Sequence, residues 1–279
     1  LLMSSRFSTY SGFVLMIFST ICLIFAFVTH DYSIQYVADH SSNAMPMIYT
    51  WIAFYSGNEG SLLFICASLS VLLFLFVRNQ SIDDTASNYS TVFVLLFMIF
   101  LLGTTSLLAN PFNLSEYTPE DGQGINPLLL HFGMFIHPPV QMIGLTGVIV
   151  PFALSLGIVI SGDMDSKLNL LRKWSISIWM ILTAGLALGS WWAYTILGWG
   201  GYWAWDPVEN SSLMPWLIMT ALIHSLIVQR KRNMFKGWNI FLVIFAFFMA
   251  QMGMFINRGG TVPSVHSFAS SSLGWTFLI

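Results

Sequence analysis

The chain has 279 residues, of which 56% are hydrophobic and only 8% charged, where an ordinary soluble domain carries about a quarter charged residues. That balance excludes a water-soluble fold, and a formal net charge of −2 with basic residues scattered over short segments excludes a nucleic-acid-binding surface. Cys22 and Cys66 stand in apolar runs without paired spacing, and neither GxxxxGK[ST] nor GxGxxG occurs, so CxxC redox, zinc and nucleotide-driven chemistry have no footing.

In chain order, helical spans are predicted at about 11–28, 59–77, 91–108, 138–160, 174–195, 212–229 and 238–256, each close to the roughly 20 residues that cross a bilayer. Arg6 precedes a first run long enough to stay in the membrane, so no cleavable signal is expected; the opening Leu1 suggests that the natural start lies upstream. Met45–Tyr55 is apolar but short, and reads as an interfacial or re-entrant piece. The fold class is therefore all-α. Residues 1–279 form one integral domain, a polytopic transmembrane helical bundle of about seven spans.

With the N-terminus inside, the inner segments hold Arg6, Arg78, Lys167, Arg172, Lys173, Arg230, Lys231, Arg232 and Lys236, nine of the ten basic residues. Only Arg258 falls outside, the asymmetry that the positive-inside rule describes. The odd number of spans leaves the C-terminus outside, and the outer segments receive His30, His40, His131, His137 and His266, five of the six histidines.

The densest chemical signal is the outer loop 190–211. Trp191, Trp192, Trp199, Trp203 and Trp205 with Tyr194 and Tyr202 put five Trp and two Tyr within fifteen residues, interleaved with glycines. This exceeds an interfacial aromatic belt and makes a flat apolar platform suited to a planar macrocycle with a charged edge. Asp206, Glu209 and Asn210 either cap the next helix or place the ligand, with Pro215 and Trp216 expected in that helix's first turn. His224 lies on the same helix, roughly 20 Å below the outer rim at 1.5 Å per residue. It either hydrogen-bonds a neighbouring helix or ligates the iron of a haem in a buried apolar site. His137, before Pro138 and Pro139, and His266, in the last outer segment, read singly as surface histidines; together they flank the aromatic loop and suit the two faces of one iron. Arg258 pairs with a haem propionate or anchors at the interface.

Trp205-Asp206-Pro207-Val208-Glu209-Asn210, Ile136-His137-Pro138-Pro139, Ala221-Leu222-Ile223-His224 and Ser264-Val265-His266-Ser267-Phe268 together resemble the CcmF/NrfE-type haem lyase of the multi-component cytochrome c maturation pathway, a tryptophan-rich WWD-domain family. Tyr36 to Ser42, Asn58 to Leu63 and Gly122 to Leu130 add to the likeness, which covers nearly the whole chain but only the N-terminal to middle portion of the family pattern. Val208-Glu209-Asn210 favours the lyase over its shorter relative CcmC. The resemblance implies that His137 and His266 ligate the haem being delivered against the loop formed by Trp191, Trp192, Trp199, Trp203, Trp205 and Asp206. It implies that His224, with a histidine from another chain or a further segment, holds a resident b-type haem. It also implies a reaction that joins haem vinyl groups to the CxxCH thiols of apocytochrome c. Expected partners are the remainder of a split or fragmentary lyase, the haem chaperone, the thiol-handling subunits, apocytochrome c and the lipid bilayer. Apparent splitting favours the mitochondrial inner membrane over the bacterial cytoplasmic membrane. Asn58 departs from the pattern, which has histidine before Glu-Gly-Ser. Competing readings are a non-catalytic membrane scaffold, a haem-transfer protein of the CcmC type, and a solute transporter; the scarcity of polar residues within the spans speaks against the last.

Overall fold

A computed structural model describes residues 2–81, 83–162, 164–198, 200–260, 262–264 and 271–278. Among these, the chain forms α1 (Leu2–Val28), α2 (Gln35–His40), α3 (Thr50–Ser56), α4 (Asn58–Arg78), α5 (Thr85–Leu108), α6 (His137–Gly147), α7 (Ile149–Ser161), α8 (Met164–Ile196), α9 (Pro207–Arg232) and α10 (Lys236–Gly259), with short 3-10 turns between some of them. Seven helical stretches are long and apolar enough to cross a membrane: Ser5–Val28, Asn58–Arg78, Thr85–Leu108, Phe132–Ser161, Lys167–Ile196, Pro207–Arg232 and Lys236–Gly259. Every span predicted from hydropathy lies inside one of these. The ends extend outwards because the terminal turns carry polar side chains that hydropathy does not register. Met45–Tyr55 becomes a 3-10 turn and α3, too short to span.

The fourth span is divided. Pro151 has no N–H to give to the carbonyl four residues earlier, that of Gly147, and the helix breaks there into α6 and α7. The expected first turn of α9 also moves. Asp206 accepts from the Val208 amide at 3.0 Å and Glu209 reaches back to the Asp206 amide at 3.2 Å, a capping box that starts the helix at Pro207. Pro215 consequently lies inside the helix rather than in its first turn.

Within a bilayer, helices associate through close packing and interhelical hydrogen bonds rather than hydrophobic gain. α6 packs on α8, α8 on α9, and α9 on α10, while α4 touches α1, α3, α5 and α6. Between α8 and α9 two tryptophans exchange bonds: Trp179 Nε1 donates to Thr220 Oγ1 and Trp216 Nε1 to Thr183 Oγ1, both at 2.8 Å, with the indoles stacked. α5 and α7 meet at Gly157, where a Cβ would run into the Ala86 carbonyl and the Ser90 hydroxyl. At the end of the bundle opposite Trp191 and Trp192, Lys167 and Asp84 form an ion pair at 2.6 Å and Arg6 donates to the Gln80 carbonyl.

Two outcomes follow from this packing. Gly157→Ala is expected to force α5 from α7 and cost about 1–3 kcal/mol, read as a lower unfolding midpoint in detergent. A midpoint unchanged from wild type would mean the two helices do not approach so closely. At Asp84, burial raises the carboxyl pKa, but the bonds from Lys167 and Ser87 outweigh it and hold the group below its ordinary value. Its contribution is therefore present above about pH 4 and lost as the pH falls through the depressed value. Lys167→Ala is expected to cost about 1–3 kcal/mol at pH 7, with the gap to wild type narrowing below about pH 4. A gap that stays constant with pH would refute the pairing.

Candidate functional site

The site is assembled at the tryptophan-bearing end by the seam between α6 and α8. The seam is reciprocal. Gly144 and Gly147 of α6 receive Leu182 and Ile178 of α8, while Gly185 and Gly189 of α8 receive Gln141 and His137 of α6. A Cβ at Gly189 would lie 2.5 Å from the His137 ring, so only glycine leaves room for the imidazole. His137 Nδ1 lies 3.0 Å from the Gly185 carbonyl. A carbonyl can only accept, so Nδ1 carries a proton, and in the neutral ring the basic nitrogen is Nε2, the tautomer an iron or other electrophile requires. The indole of Trp192, buried at 1% exposure, lies nearly parallel to this ring, 17° off, with centroids 6.5 Å apart.

The tryptophans divide by structure. Trp191 and Trp192 stand in the last turns of α8 and not in a loop, correcting the expected 190–211 loop to a shorter connection between Ile196 and Pro207. The aromatic run is helical there because it carries no Gly or Pro before Gly198. Trp191 meets the rings of His131 and Phe132. Trp203 and Trp205 meet edge to face at 6.3 Å. Trp205 is 72% exposed and adopts φ +58°, a left-handed conformation unusual for a bulky side chain. Its carbonyl is held by Asn210 Nδ2 at 2.9 Å, while Asp206 and Glu209 lock the next turn. Asn210, Asp206 and Glu209 thus act on backbone groups. Trp199 and His266 lie outside the described residues. The residues that flank the last outer segment are nevertheless tied to the site: Ser264 Oγ donates to Asp206 Oδ2 at 2.5 Å, and the Ser271 amide donates to the Arg258 carbonyl at 2.8 Å.

Arg258 is not an exposed interfacial anchor. It is 7% exposed, with Nη1 donating to Asn58 Oδ1 at 2.9 Å and Nη2 to Ser61 Oγ at 3.0 Å. The amide at position 58 thus has a role that sequence left open, as an acceptor for a buried cation. A cavity of about 210 Å³ lies beside it, lined by His137, Gln141, Trp192, Asn58, Asn257 and Arg258 among others. A second, of about 90 Å³, shares His137, Gln141, Val208 and Asn257 with the first and opens towards Trp203 and Glu209. Tyr55 closes the first cavity from α3, its hydroxyl donating to the Met134 carbonyl, and burial holds its phenol above the usual range. Behind it, burial likewise lowers the pKa of His40, whose Nδ1 meets the Tyr36 carbonyl at 3.0 Å. Gln141 and Asn257 escaped the sequence reading. The available signal was a polar side chain four residues after His137, on the same face of an apolar helix.

His224 is displaced from expectation. It lies not in a buried pocket of this bundle but on the outward face of α9, with Leu217, Ala221 and Ile227, because Met219, Leu222 and Leu226 occupy the face turned to the neighbouring helices. Its Nδ1 meets the Thr220 carbonyl at 2.8 Å, so in the neutral ring Nε2 is again the basic nitrogen, on an exposed side chain.

The model of the cytochrome c assembly protein family matches residues 55–260. The chain is 39% identical to the cytochrome c-type biogenesis protein CcmF of Pseudomonas aeruginosa over 282 residues, covering 99% of this chain and 42% of that protein. It is 38% identical to CcmF of Escherichia coli, covering 99% and 43%, and 39% identical to NrfE of Haemophilus influenzae, covering 92% and 41%. A solved structure of the cytochrome c heme lyase CcmF superposes with a TM-score of 0.83 at 30% identity, covering 99% of this chain and 43% of that one. The chain thus spans less than half the length of the relatives it matches, and with a family match over more than half of its own length it belongs to the cytochrome c assembly protein family.

Proposed function

We propose that this chain is a subunit of a cytochrome c haem lyase, holding haem for thioether attachment to the CxxCH motif of apocytochrome c. The observation that carries the reading is His137. Its ring is held by the Gly185 carbonyl alongside Trp192, and it lines a cavity next to a buried arginine; in the neutral ring this leaves Nε2 as the basic nitrogen. An axial imidazole with its second nitrogen held by a backbone carbonyl is the arrangement haem iron takes. His266 is the second axial ligand on this reading, and Trp191, Trp192, Trp199, Trp203, Trp205 and Asp206 form or brace the apolar shelf. In the reaction, the cysteine S–H adds across the vinyl C=C: a C–S bond forms, the thiol proton ends on the other vinyl carbon, and no net oxidation occurs. The chain's contribution is to hold one partner at reacting distance from the other, removing the entropic cost of their encounter.

The outward His224 fits one axial position of a resident b-type haem whose second ligand comes from a partner chain or a further segment. A free imidazole nitrogen facing hydrocarbon is costly, and ligation removes that cost. Such a haem, when bound, supplies electrons that keep the delivered iron reduced. Orientation follows the charges. The tryptophan end faces outwards, and the end carrying Arg6, Lys167 and Arg230 to Lys236 faces inwards, in an energy-transducing membrane. The haem chaperone, thiol-handling subunits and apocytochrome c are the partners this assigns. A non-catalytic scaffold is the competing reading, and it predicts no haem dependent on the named histidines.

His137→Ala and His266→Ala are each expected to abolish holocytochrome c, seen as loss of haem-stained bands, while the chain remains in the membrane at normal abundance. Normal haem staining in both variants would exclude the lyase reading. His224→Ala is expected to remove a b-type α-band from the purified complex without changing haem bound at His137. An unaltered reduced-minus-oxidised spectrum would rule out the resident-haem assignment.

A further inference from the structure

We infer that Gln141 and Asn257, together with Arg258, form a carboxylate pocket that receives one propionate arm of the haem substrate. The inference rests on the haem-lyase reading and deepens it.

Gln141 is 9% exposed, and neither its Nε2 nor its Oε1 has a hydrogen-bond partner among the described residues. Burying an amide unpaired costs roughly 1–3 kcal/mol, so the group is expected to have a partner that the described residues do not supply. Its position says where. Gln141 lies on α6 one turn below His137, seated over Gly185, and lines both cavities that His137 lines. Asn257 also lines both. Its Oδ1 accepts from Ser211 Oγ at 2.8 Å, which fixes the amide so that its Nδ2 donor is left for the cavity. Arg258 spends two of its donors on neutral acceptors, Asn58 and Ser61. Lys167–Asp84 is the ion pair found among the described residues; the Glu59 carboxylate acts on the guanidinium only through its charge, so no described carboxylate is bonded to it.

Three donors, one of them a full positive charge, therefore border one small space. Such a set suits an anion with several acceptor sites, and a carboxylate takes two or more N–H donors at once. Size narrows the choice further. A cavity of about 210 Å³ falls short of the roughly 300 Å³ at which pockets begin to enclose a whole drug-sized ligand. It admits an arm of a larger molecule, not a macrocycle. A porphyrin whose iron is ligated by His137 carries carboxylate arms on its edge, and the shared lining puts the imidazole and the donors on one space.

The test uses the membrane complex containing this chain, titrated with haem and with haem dimethyl ester, whose propionates are blocked, and followed by the Soret band. Wild type is expected to prefer haem. Gln141→Glu keeps shape and volume but replaces the donor by an acid. It is expected to weaken haem by about tenfold or more, the loss of one charge-assisted bond, while leaving the dimethyl ester within about twofold. Gln141→Leu is expected to narrow the preference in the same direction. His137→Ala, in contrast, is expected to change the Soret position for both porphyrins and keep the preference between them. Equal binding of the two porphyrins by wild type, or an unchanged preference in both Gln141 variants, would overturn the carboxylate pocket while leaving haem binding intact. Porphyrin binding that does not depend on His137 at all would instead remove the haem-lyase reading, and the pocket with it.

Discussion

The close approach of α6 and α8 is the constraint on which the site depends. Helices in a bilayer gain little from burying apolar surface against each other, since lipid is equally apolar, and they associate where small residues let backbones come near. Here the small residues alternate between the two partners, Gly144 and Gly147 on one and Gly185 and Gly189 on the other. The first pair lets α8's Leu182 and Ile178 lock the register. The second pair, held in that register, makes a slot into which His137 and Gln141 fit. The Gly185 carbonyl then sets the histidine tautomer. The placement of this imidazole is thus fixed by glycines more than forty positions away in sequence.

The buried arginine is the second organising element. A guanidinium in an apolar bundle is tolerated only when hydrogen bonding replaces its lost hydration. Arg258 gets part of that replacement from the first turn of α4, through Asn58 and Ser61. The same contact ties α10 to α4, and Ser271 completes the joint by bonding both Asn58 Nδ2 and the Arg258 carbonyl.

Much of this was legible in advance for a physical reason. Seven apolar runs of bilayer length leave an all-helical bundle as the solution that satisfies every backbone group, and His137, Arg258 and the tryptophans drew notice as polar or aromatic residues out of proportion to their surroundings. What sequence could not display was direction. Trp191 and Trp192 belong to α8 because nothing interrupts the helix before Gly198, a fact easily masked by the aromatic density. His224 had a recognisable context but no indication of which face it occupies; only the packing of Met219, Leu222 and Leu226 turns it outward. Gln141 and Asn257 gave little sequence signal, because an amide in a membrane helix acquires meaning only once its neighbours are known to leave it unpaired.

The distribution of burial gives these placements their mechanical sense. The apolar windows of the spans that begin at Asn58 and Phe132 are 83% and 72% buried, against 22% for the first span and 39% for the two that end the chain. Asn58, Ser61, His137 and Gln141 therefore sit on the two most enclosed spans of the bundle, with Ser61 and Gln141 buried and Asn58 and His137 half-buried. A site that must hold a ligand to within a fraction of an ångström gains most from such positions. His224 stands on one of the less enclosed helices, on the face this chain leaves open. The two histidines thus occupy mechanically opposite settings. One is seated in the packed seam of α6 and α8, while the other stands on the exposed face of α9.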